Sequence, residues 1–401
     1  MITRPGRLVK LSMTVFCLIT SLEKVEAQLK YAAIDTTIRA FMIDRKIPGF
    51  IAGIVNEKGI EWSNAYGLAD LSSNIPMNMD GIMNIGSVSK TFTTMAAMQL
   101  WEKGLLDLNA DVNRYLDVKI VNPMHSTKPI TVFQILTHTS SICDGKAYAA
   151  SYACGDPQQS LNNWVRETLV AGGRYYNGGD NFTASAPGQE QKYANMPFGL
   201  LGLIIEKIAQ QPFNIYCKHN IFLPLGMENT GWFLQEIDRS RHITPYAYVT
   251  EEDKAELLAN RRLYSDQAEF KLGTFVPNCL YSFPNYPDGL LHTSVRELSF
   301  YVVALLNGGE LNGKRILKKQ TVEKMLSLQL ADNTHQGLTW HTRALSDGTN
   351  LWGHSGGDPG ITTFLFFNPI DKIGVITFQN AATGGTFPLI VNKLYNLAKP
   401  N

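Results

Sequence analysis

The stretch GSVSKTF, residues 86–92, opens a run in which apolar side chains recur every three or four residues from Val88 to Met98. This is the period of an amphipathic helix, so the stretch predicts a helix that begins near Ser87. Lys90 then lies one turn later on the same face. A serine hydroxyl is a weak nucleophile until a neighbouring base accepts its proton, and a helix N-terminus favours negative charge on a bound substrate. The stretch therefore predicts a nucleophile, Ser87, with Lys90 as its base.

Composition limits the classes of function. The chain has 401 residues, of which 44% are hydrophobic and 18% charged, and a formal net charge of +1. These values are typical of a globular protein and give no electrostatic reason to expect a nucleic-acid partner. The sequence contains neither Cys-x-x-Cys nor His-Glu-x-x-His, so we expect no metal and no cofactor. The expected partner is a small molecule or a short peptide, and the oligomeric state stays open.

Residues 1–27 have the pattern of a secretory signal. Basic residues precede an apolar run over 11–22, and Val25 and Ala27 place small residues at the cleavage site. A run of about a dozen apolar residues is too short to span a membrane, so we expect no stable membrane insertion. We expect a secreted or periplasmic chain that begins at Gln28. An uncleaved leader or single anchor is the alternative.

Export permits disulfides. Removal of Cys17 with the signal leaves Cys143, Cys154, Cys217 and Cys279, which allow three pairings. Cys143 and Cys154 bracket a short polar loop and are the first candidates for a bond. Two free buried thiols are the alternative.

Periodicity along the rest of the chain predicts an α+β fold. Helices are expected at Tyr31–Asp44, Ile130–Leu136, Leu161–Val170, Pro197–Ala209, Arg296–Leu306 and Phe387–Leu397. Strands are expected at Phe50–Val55, Ile60–Tyr66, Leu351–Ser355, Thr362–Asn368 and Ile373–Gln379, and a buried turn at Ile221–Met227.

These elements predict one antiparallel sheet built from both chain ends, flanked by terminal helices. Residues 28–86 and 288–401 would form this sheet domain, and residues 87–287 a large, mostly helical inserted domain. The active site would lie between the two.

A second motif, Tyr193-Ala194-Asn195, directly precedes the apolar helix at 197–209. A short polar loop anchored by a helix can hold both polar side chains in position. The Tyr193 phenol could pass the serine proton to a leaving group, and Asn195 could hold the substrate amide or Lys90. A helix-capping Asn beside a core Tyr is the alternative, and Tyr175-Tyr176-Asn177 is a similar sequence in a glycine-flanked loop.

A third motif, His354-Ser355-Gly356, ends a predicted strand and continues into Gly357. Small residues at a strand end let a substrate approach the backbone closely, and a free N–H there can complete an oxyanion hole. A surface strand histidine is the alternative, and a similar sequence stands at His335-Gln336-Gly337.

In this order, the three motifs resemble the serine β-lactamase and penicillin-binding-protein superfamily. The similarity is to its branch of class C β-lactamases, D-alanyl-D-alanine carboxypeptidases and related esterases. Segments 130–140 and 305–317 are similar to family stretches between the motifs, and the resemblance covers roughly Ile34 to Leu397.

The resemblance implies a β-lactamase/transpeptidase-like fold in which Ser87 is acylated, Lys90 accepts its proton and Tyr193 acts as general base and acid. It also implies that Asn195 positions substrate, and that the remaining groups line the strand edge or the oxyanion hole: His354, Ser355, Gly356, and the N–H groups of Ser87 and Gly357.

Two departures from the family pattern are visible. Class C β-lactamases carry Lys-Thr-Gly where this chain has His354-Ser355-Gly356, and a His there is nearer the peptidase-like and general hydrolase members. Typical relatives read Thr-Ser-Gly where this chain has Thr139-Ser140-Ser141. The leading interpretation is an exported serine hydrolase for an amide, peptide or ester. A catalytically silent penicillin- or peptide-binding receptor is the alternative.

The insert over 141–191 is expected to overhang the site. Its tyrosines could form an aromatic wall or could pack the loop against itself: Tyr148, Tyr152, Tyr175 and Tyr176.

Overall fold

A computed structural model describes residues 31–382 and 387–399 of the chain. The predicted signal, Cys17 and the cleavage site before Gln28 lie outside the described residues. In the described ranges, none of the helices has the length and apolarity needed to cross a bilayer.

The fold is built on a seven-stranded antiparallel sheet. Its strands are β1 (Gly49–Asn56), β2 (Gly59–Asp70), β3 (Ile75–Pro76), β4 (His341–Ala344), β5 (Asn350–Asp358), β6 (Ile361–Asn368) and β7 (Ile373–Gln379). Their spatial order is β4-β5-β6-β7-β1-β2-β3. Because β1 pairs with both β7 and β2, the two ends of the chain meet in the middle of the sheet.

Helices and four short strand pairs complete the fold. The helices cover 31–44, Ser89–Glu102, Val132–Leu136, Lys146–Ala150, Leu161–Leu169, Gly178–Asn181, Met196–Ala209, Phe213–Cys217, Lys218–Phe222, Leu223–Leu225, Lys254–Ala259, Val295–Leu306, Lys319–Met325 and Phe387–Ala398. The pairs join Ile82–Asn84 to His292–Ser294, Ala153–Cys154 to Tyr281–Ser282, Tyr246–Tyr248 to Phe275–Pro277, and Glu310–Leu311 to Lys314–Arg315.

The period of two along each strand separates the two faces of the sheet. On β1, Phe50 and Ile54 belong to the apolar cluster formed with the helices at 31–44 and Phe387–Ala398. The intervening Ile51 and Val55 face the opposite side, where one continuous cluster includes the sheet, Val295–Leu306 and the helical insert. We call Ser89–Glu102, which is buried in this second cluster, the central helix.

The predicted α+β architecture, with an antiparallel sheet from both chain ends, is confirmed. One local prediction is wrong: Ile221–Met227 is not a turn. Residues from Phe213 to Leu225 are continuously helical, and only Gly226, with φ +75°, turns the chain. The apolar run Ile221-Phe222-Leu223 is compatible with a turn or a helix. Ile221 and Phe222 pack in the core on one side of this helix, whereas Leu223 is exposed.

The disulfide joins Cys154 to Cys279, 125 residues apart, and not Cys154 to Cys143. The strand pair Ala153–Cys154 with Tyr281–Ser282 brings the two bonded cysteines together. Cys143 is free, and its thiol contacts the backbone oxygen of Asp180; Cys217 is free and buried. The short distance in sequence between Cys143 and Cys154 favoured a bond between these two cysteines. The actual bond depends instead on the pairing of two strands that are far apart in the sequence.

Candidate active site

Ser87 lies in a tight helical turn, Gly86–Val88, that leads directly into the central helix. Gly86 has φ +52°, a left-handed conformation that glycine adopts without the steric cost of a Cβ. Ser87 is half-buried, and its Oγ accepts a hydrogen bond of 2.9 Å from Lys90 Nζ. The predicted one-turn relation between hydroxyl and amine is therefore present.

The Lys90 side chain is fully buried and has three acceptors. Besides Ser87 Oγ, its Nζ donates to Asn195 Oδ1 at 2.7 Å and to the backbone oxygen of Asp288 at 2.9 Å. The Asp288 carboxylate is 3.9 Å away and is also buried. This arrangement holds Nζ in one position against the serine hydroxyl, because three oxygen atoms from different segments surround it.

Tyr193 approaches the same hydroxyl from the solvent side. Its phenolic OH donates to Ser87 Oγ at 2.7 Å, and the residue is 50% exposed. The ring centre lies 5.1 Å from Lys90 Nζ and 4.5 Å from the centre of the His138 ring. Ser87 Oγ thus contacts an amine and a phenol together, while the tyrosine remains accessible to a substrate.

Asn195 precedes the Met196–Ala209 helix, but its side chain makes no capping hydrogen bond. Its Oδ1 accepts from Lys90 and its Nδ2 donates to Asp144 Oδ2 at 2.8 Å. The carboxylate of Asp144 performs the cap instead, since its Oδ1 accepts from the backbone N–H groups of Asn195 and Met196, each at 2.8 Å. A carboxylate at a helix N-terminus is favourable. Asp144 therefore sets which side of the Asn195 amide faces Lys90.

The third motif lies on a free sheet edge. β5 pairs with β4 only over Asn350–Gly353, so residues 354–358 have one edge that does not pair within the sheet. This edge contacts the Ser87 turn: a Cβ added to Gly86 would lie 2.9 Å from Gly357 N, and one added to Gly356 would lie 2.0 Å from the Ile85 oxygen. Both glycines allow the close approach of the two segments, and Gly357 itself is exposed.

His354 is buried and not a surface strand histidine, with 3% of its surface exposed. Its Nδ1 donates to the oxygen of the half-buried Ser355 at 2.7 Å. Burial, followed by the nearby His341 and Lys90, holds the pKa of His354 well below its usual value. The imidazole is therefore neutral at pH 7 and contributes shape and polarity but no charge.

Several groups around the site have no motif in the sequence. His138 is buried against Tyr193 with a φ of +57°, and burial together with Lys90 lowers its pKa to about 3. Burial raises the pKa of Asp288 to about 6 in spite of the opposing effect of Lys90. Along with Asp144, these residues are single polar positions outside the long helices and the sheet, and no spacing in the sequence distinguishes them. His138 alone lies in a segment, 130–140, that the family resemblance singles out.

The competing copies of the motifs lie elsewhere. Tyr176 packs against Phe182, with ring centres 6.4 Å apart, and Asn177 caps the short helix Gly178–Asn181. His335 is exposed and contacts Thr342. Ser21 and Lys24, a second Ser-x-x-Lys, fall outside the described residues.

The aromatic residues of the insert divide between two cavities. Tyr148 and Tyr152 line one cavity, and Tyr175 and Tyr176 line another. Ser141, which replaces the glycine of typical relatives, has φ +64°, a conformation that glycine adopts more easily.

No group of three or more His, Cys, Asp or Glu side chains within 31–382 and 387–399 is arranged to hold a metal ion. The architecture is that of the penicillin-binding-protein and β-lactamase class: an antiparallel sheet from both chain ends, a helical insert and a serine at the start of a central helix. The chain belongs to the Beta-lactamase family, whose model matches residues 34–398.

Similar proteins fall in the same superfamily. "Protein flp" of Staphylococcus aureus (strain MRSA252) is 26% identical over 349 residues, which cover 86% of this chain and 62% of that protein. The chain thus spans less than two thirds of the length of this relative. The octameric penicillin-binding protein homologue from Pyrococcus abyssi aligns with a TM-score of 0.68 and 24% identity, covering 91% of this chain and 76% of the other. D-alanine carboxypeptidase AmpC from Burkholderia cenocepacia aligns with a TM-score of 0.65 and 20% identity, covering 92% of this chain and 99% of the other.

Proposed function

We propose that this chain is a serine hydrolase that cleaves an amide, peptide or ester through an acyl-Ser87 intermediate. One observation carries the proposal: Ser87 Oγ contacts Lys90 Nζ at 2.9 Å and the Tyr193 hydroxyl at 2.7 Å. A nucleophile within hydrogen-bond reach of a base that is itself held by a third group is the arrangement that activates a serine. Membership of the Beta-lactamase family supports it.

In acylation, Ser87 Oγ attacks the substrate carbonyl carbon and its proton passes to Lys90, which must be uncharged at that moment. Tyr193 then relays a proton to the leaving group, because its hydroxyl contacts Ser87 Oγ and the residue is accessible to a substrate. Asn195 keeps Lys90 in place through its Oδ1, and we assign to it the positioning of a substrate amide. In deacylation the same groups act in reverse on a water molecule.

The oxyanion of the tetrahedral intermediate would be held by the N–H groups of Ser87 and Gly357. Their assignment is supported by the contact of the Gly86 turn with residues 356 and 357 at the free edge of β5. Removal of one such donor typically costs about 10²–10³-fold in kcat. The neutral His354 at the start of this edge, where class C β-lactamases carry a lysine, favours general peptidase or esterase chemistry over dedicated β-lactam hydrolysis.

We propose further that the mature chain begins at Gln28 and is exported, on the basis of the signal pattern in residues 1–27. Intact mass of secreted protein tests this directly. A mass that retains residues 1–27 contradicts it.

Covalent labelling tests the hydrolase. A fluorophosphonate probe should add one adduct to the wild-type protein and none to Ser87→Ala, and peptide mapping should place the adduct on Ser87. Turnover is then measured with nitrocefin, p-nitrophenyl esters and D-amino-acid peptides. A wild-type protein that binds these compounds without labelling or turnover is instead the receptor.

A further inference from the structure

A second cavity begins where the free edge of β5 ends. It has a volume of about 740 Å³, in the range of small-molecule sites, and is lined by five tyrosines and one strand-end carboxylate: Tyr148, Tyr152, Tyr246, Tyr248, Tyr264 and Asp358. Neither Ser87, Lys90 nor Tyr193 lines it. The cavity is therefore next to the candidate active site and not part of the hydrogen-bonded cluster.

Two short connections link the cavity wall to the active site. Asn84 Nδ2 donates to Asp358 Oδ2 at 3.1 Å, while Asn84 Oδ1 accepts from Gly86 N, the residue before Ser87. On the other side, the Tyr148 hydroxyl donates to Asp288 Oδ1 at 3.0 Å, beside Lys90. A ligand in the cavity would thus lie against residues that also position the nucleophile and its base.

Asp358 is the chemically distinctive group of this wall. Its carboxylate accepts a hydrogen bond from Asn84 and lies beside the hydroxyls of Tyr152 and Tyr281. Asp288 and Lys90 are the charged groups that act on it from the active-site side, and their effects on its pKa oppose each other. In the part of the chain that the structure describes, Asp358 forms no ion pair. Burial raises its pKa to about 7, and a cation beside it would restore the charged form.

The cations that line the cavity contact other groups of its wall and not Asp358. Arg262 donates to the backbone oxygens of Ala149 and Tyr152, at 2.7 and 3.1 Å, and Arg45 pairs with Asp44. Lys46 Nζ lies 6.0 Å from the Tyr248 ring. None of them neutralises Asp358. The remaining acids on the wall, such as Glu256, are exposed and solvated.

We infer that this cavity is a substrate subsite for a primary ammonium group, which the Asp358 carboxylate and the surrounding tyrosines bind in the acyl part of the substrate. A carboxylate supplies the counter-charge, and tyrosine faces attract cations. The turnover assay for this subsite rests on the proposed hydrolase function. The substrate class that the subsite would select is amino-acyl amides or esters.

The experiment compares two p-nitrophenyl esters of equal length, 6-aminohexanoate and heptanoate, which differ by an ammonium in place of a methyl group. The wild-type kcat/KM should favour the amino ester by about 10- to 100-fold, the range expected for a charged hydrogen bond. Asp358→Asn should reduce this preference to within about threefold. The matched control, Glu256→Gln, changes an exposed acid on the same wall and should retain the full preference.

Binding to Ser87→Ala separates this inference from the proposed function. Isothermal titration should give tighter binding of hexylamine than of hexan-1-ol, with the difference lost in Ser87→Ala/Asp358→Asn. If the wild-type protein hydrolyses neither ester, the proposed function fails and the hexylamine titration decides the subsite. Equal binding of amine and alcohol, or an amino preference that survives Asp358→Asn, overturns the subsite even if both esters are turned over. If Asp358→Asn does not fold, the comparison of amine and alcohol in Ser87→Ala decides alone.

Discussion

Replacement of Asp144 by asparagine should disable the site without touching any reacting atom. Asp144 accepts three hydrogen bonds of 2.8 Å, two from backbone N–H groups through Oδ1 and one from Asn195 Nδ2 through Oδ2. In Asp144→Asn the backbone bonds can remain, but an NH₂ group now faces Asn195 Nδ2. Two donors cannot share this contact, so either the bond is lost or the Asn195 amide rotates and turns its NH₂ toward Lys90.

The magnitude follows from the bonds affected. One charge-assisted hydrogen bond is lost and two become neutral, but Asp144 is exposed and water screens its charge, so the free energy of unfolding should fall by about 1–2 kcal/mol. If the amide rotates, Lys90 Nζ loses an acceptor now at 2.7 Å, and kcat/KM should fall by about 10- to 100-fold on an ester substrate. Urea unfolding and steady-state kinetics measure the two effects separately.

A compensating exchange makes the test specific. In Asp144→Asn/Asn195→Asp, the new carboxylate at 195 accepts from both Lys90 and the amide at 144, so stability and activity should recover in part. Asp117→Asn is the matched control, because that exposed acid contacts Lys207 near the other end of the same helix and should change neither quantity appreciably. Wild-type kcat/KM in Asp144→Asn, or a double variant worse than both single variants combined, refutes the reasoning.

Four further outcomes are expected. Tyr193→Phe should lower kcat by about 10²–10⁴-fold with little change in melting temperature, whereas Tyr176→Phe should alter KM at most; the reverse result would assign the motif to the other loop. Lys90→Arg should be nearly as inactive as Lys90→Ala, since arginine cannot accept the serine proton; an active variant would limit the lysine to an electrostatic role. Cys279→Ser should lower the free energy of unfolding by about 3–5 kcal/mol in urea, because the bond closes a long loop, and Cys143→Ser should cost less; equal losses would contradict this. Acidification from pH 7 to 5 should destabilise the protein in urea titrations, because the histidines with lowered pKa values gain protons on unfolding: His138, His242, His292, His341 and His354. They outnumber the two aspartates with raised pKa values, Asp288 and Asp358, which act in the opposite direction. Flat stability over this pH range would argue against this balance.

Local pattern in the sequence was enough to predict the sheet and the first contact of the site. The β-rich runs that predicted strands at Thr362–Asn368 and Ile373–Gln379 correspond to β6, which begins one residue earlier, and to β7, whose bounds agree. The spacing of Ser87 and Lys90 determined their contact because one helical turn connects them. Such features depend on neighbours within a few residues, and burial periodicity records them directly.

Contacts between distant segments were decided only by the tertiary structure. Tyr193 and Tyr176 precede an Asn within two residues, and only the packing of the Met196–Ala209 helix brings Tyr193 to the serine. The bond of Cys154 to Cys279 requires two short strands, 125 residues apart, to pair. Asp144 and Asp358 have no periodic or spaced partner in the sequence, since the hydrogen bonds of each carboxylate come from other segments of the chain. Their positions follow from the global path of the chain, which local periodicity does not encode.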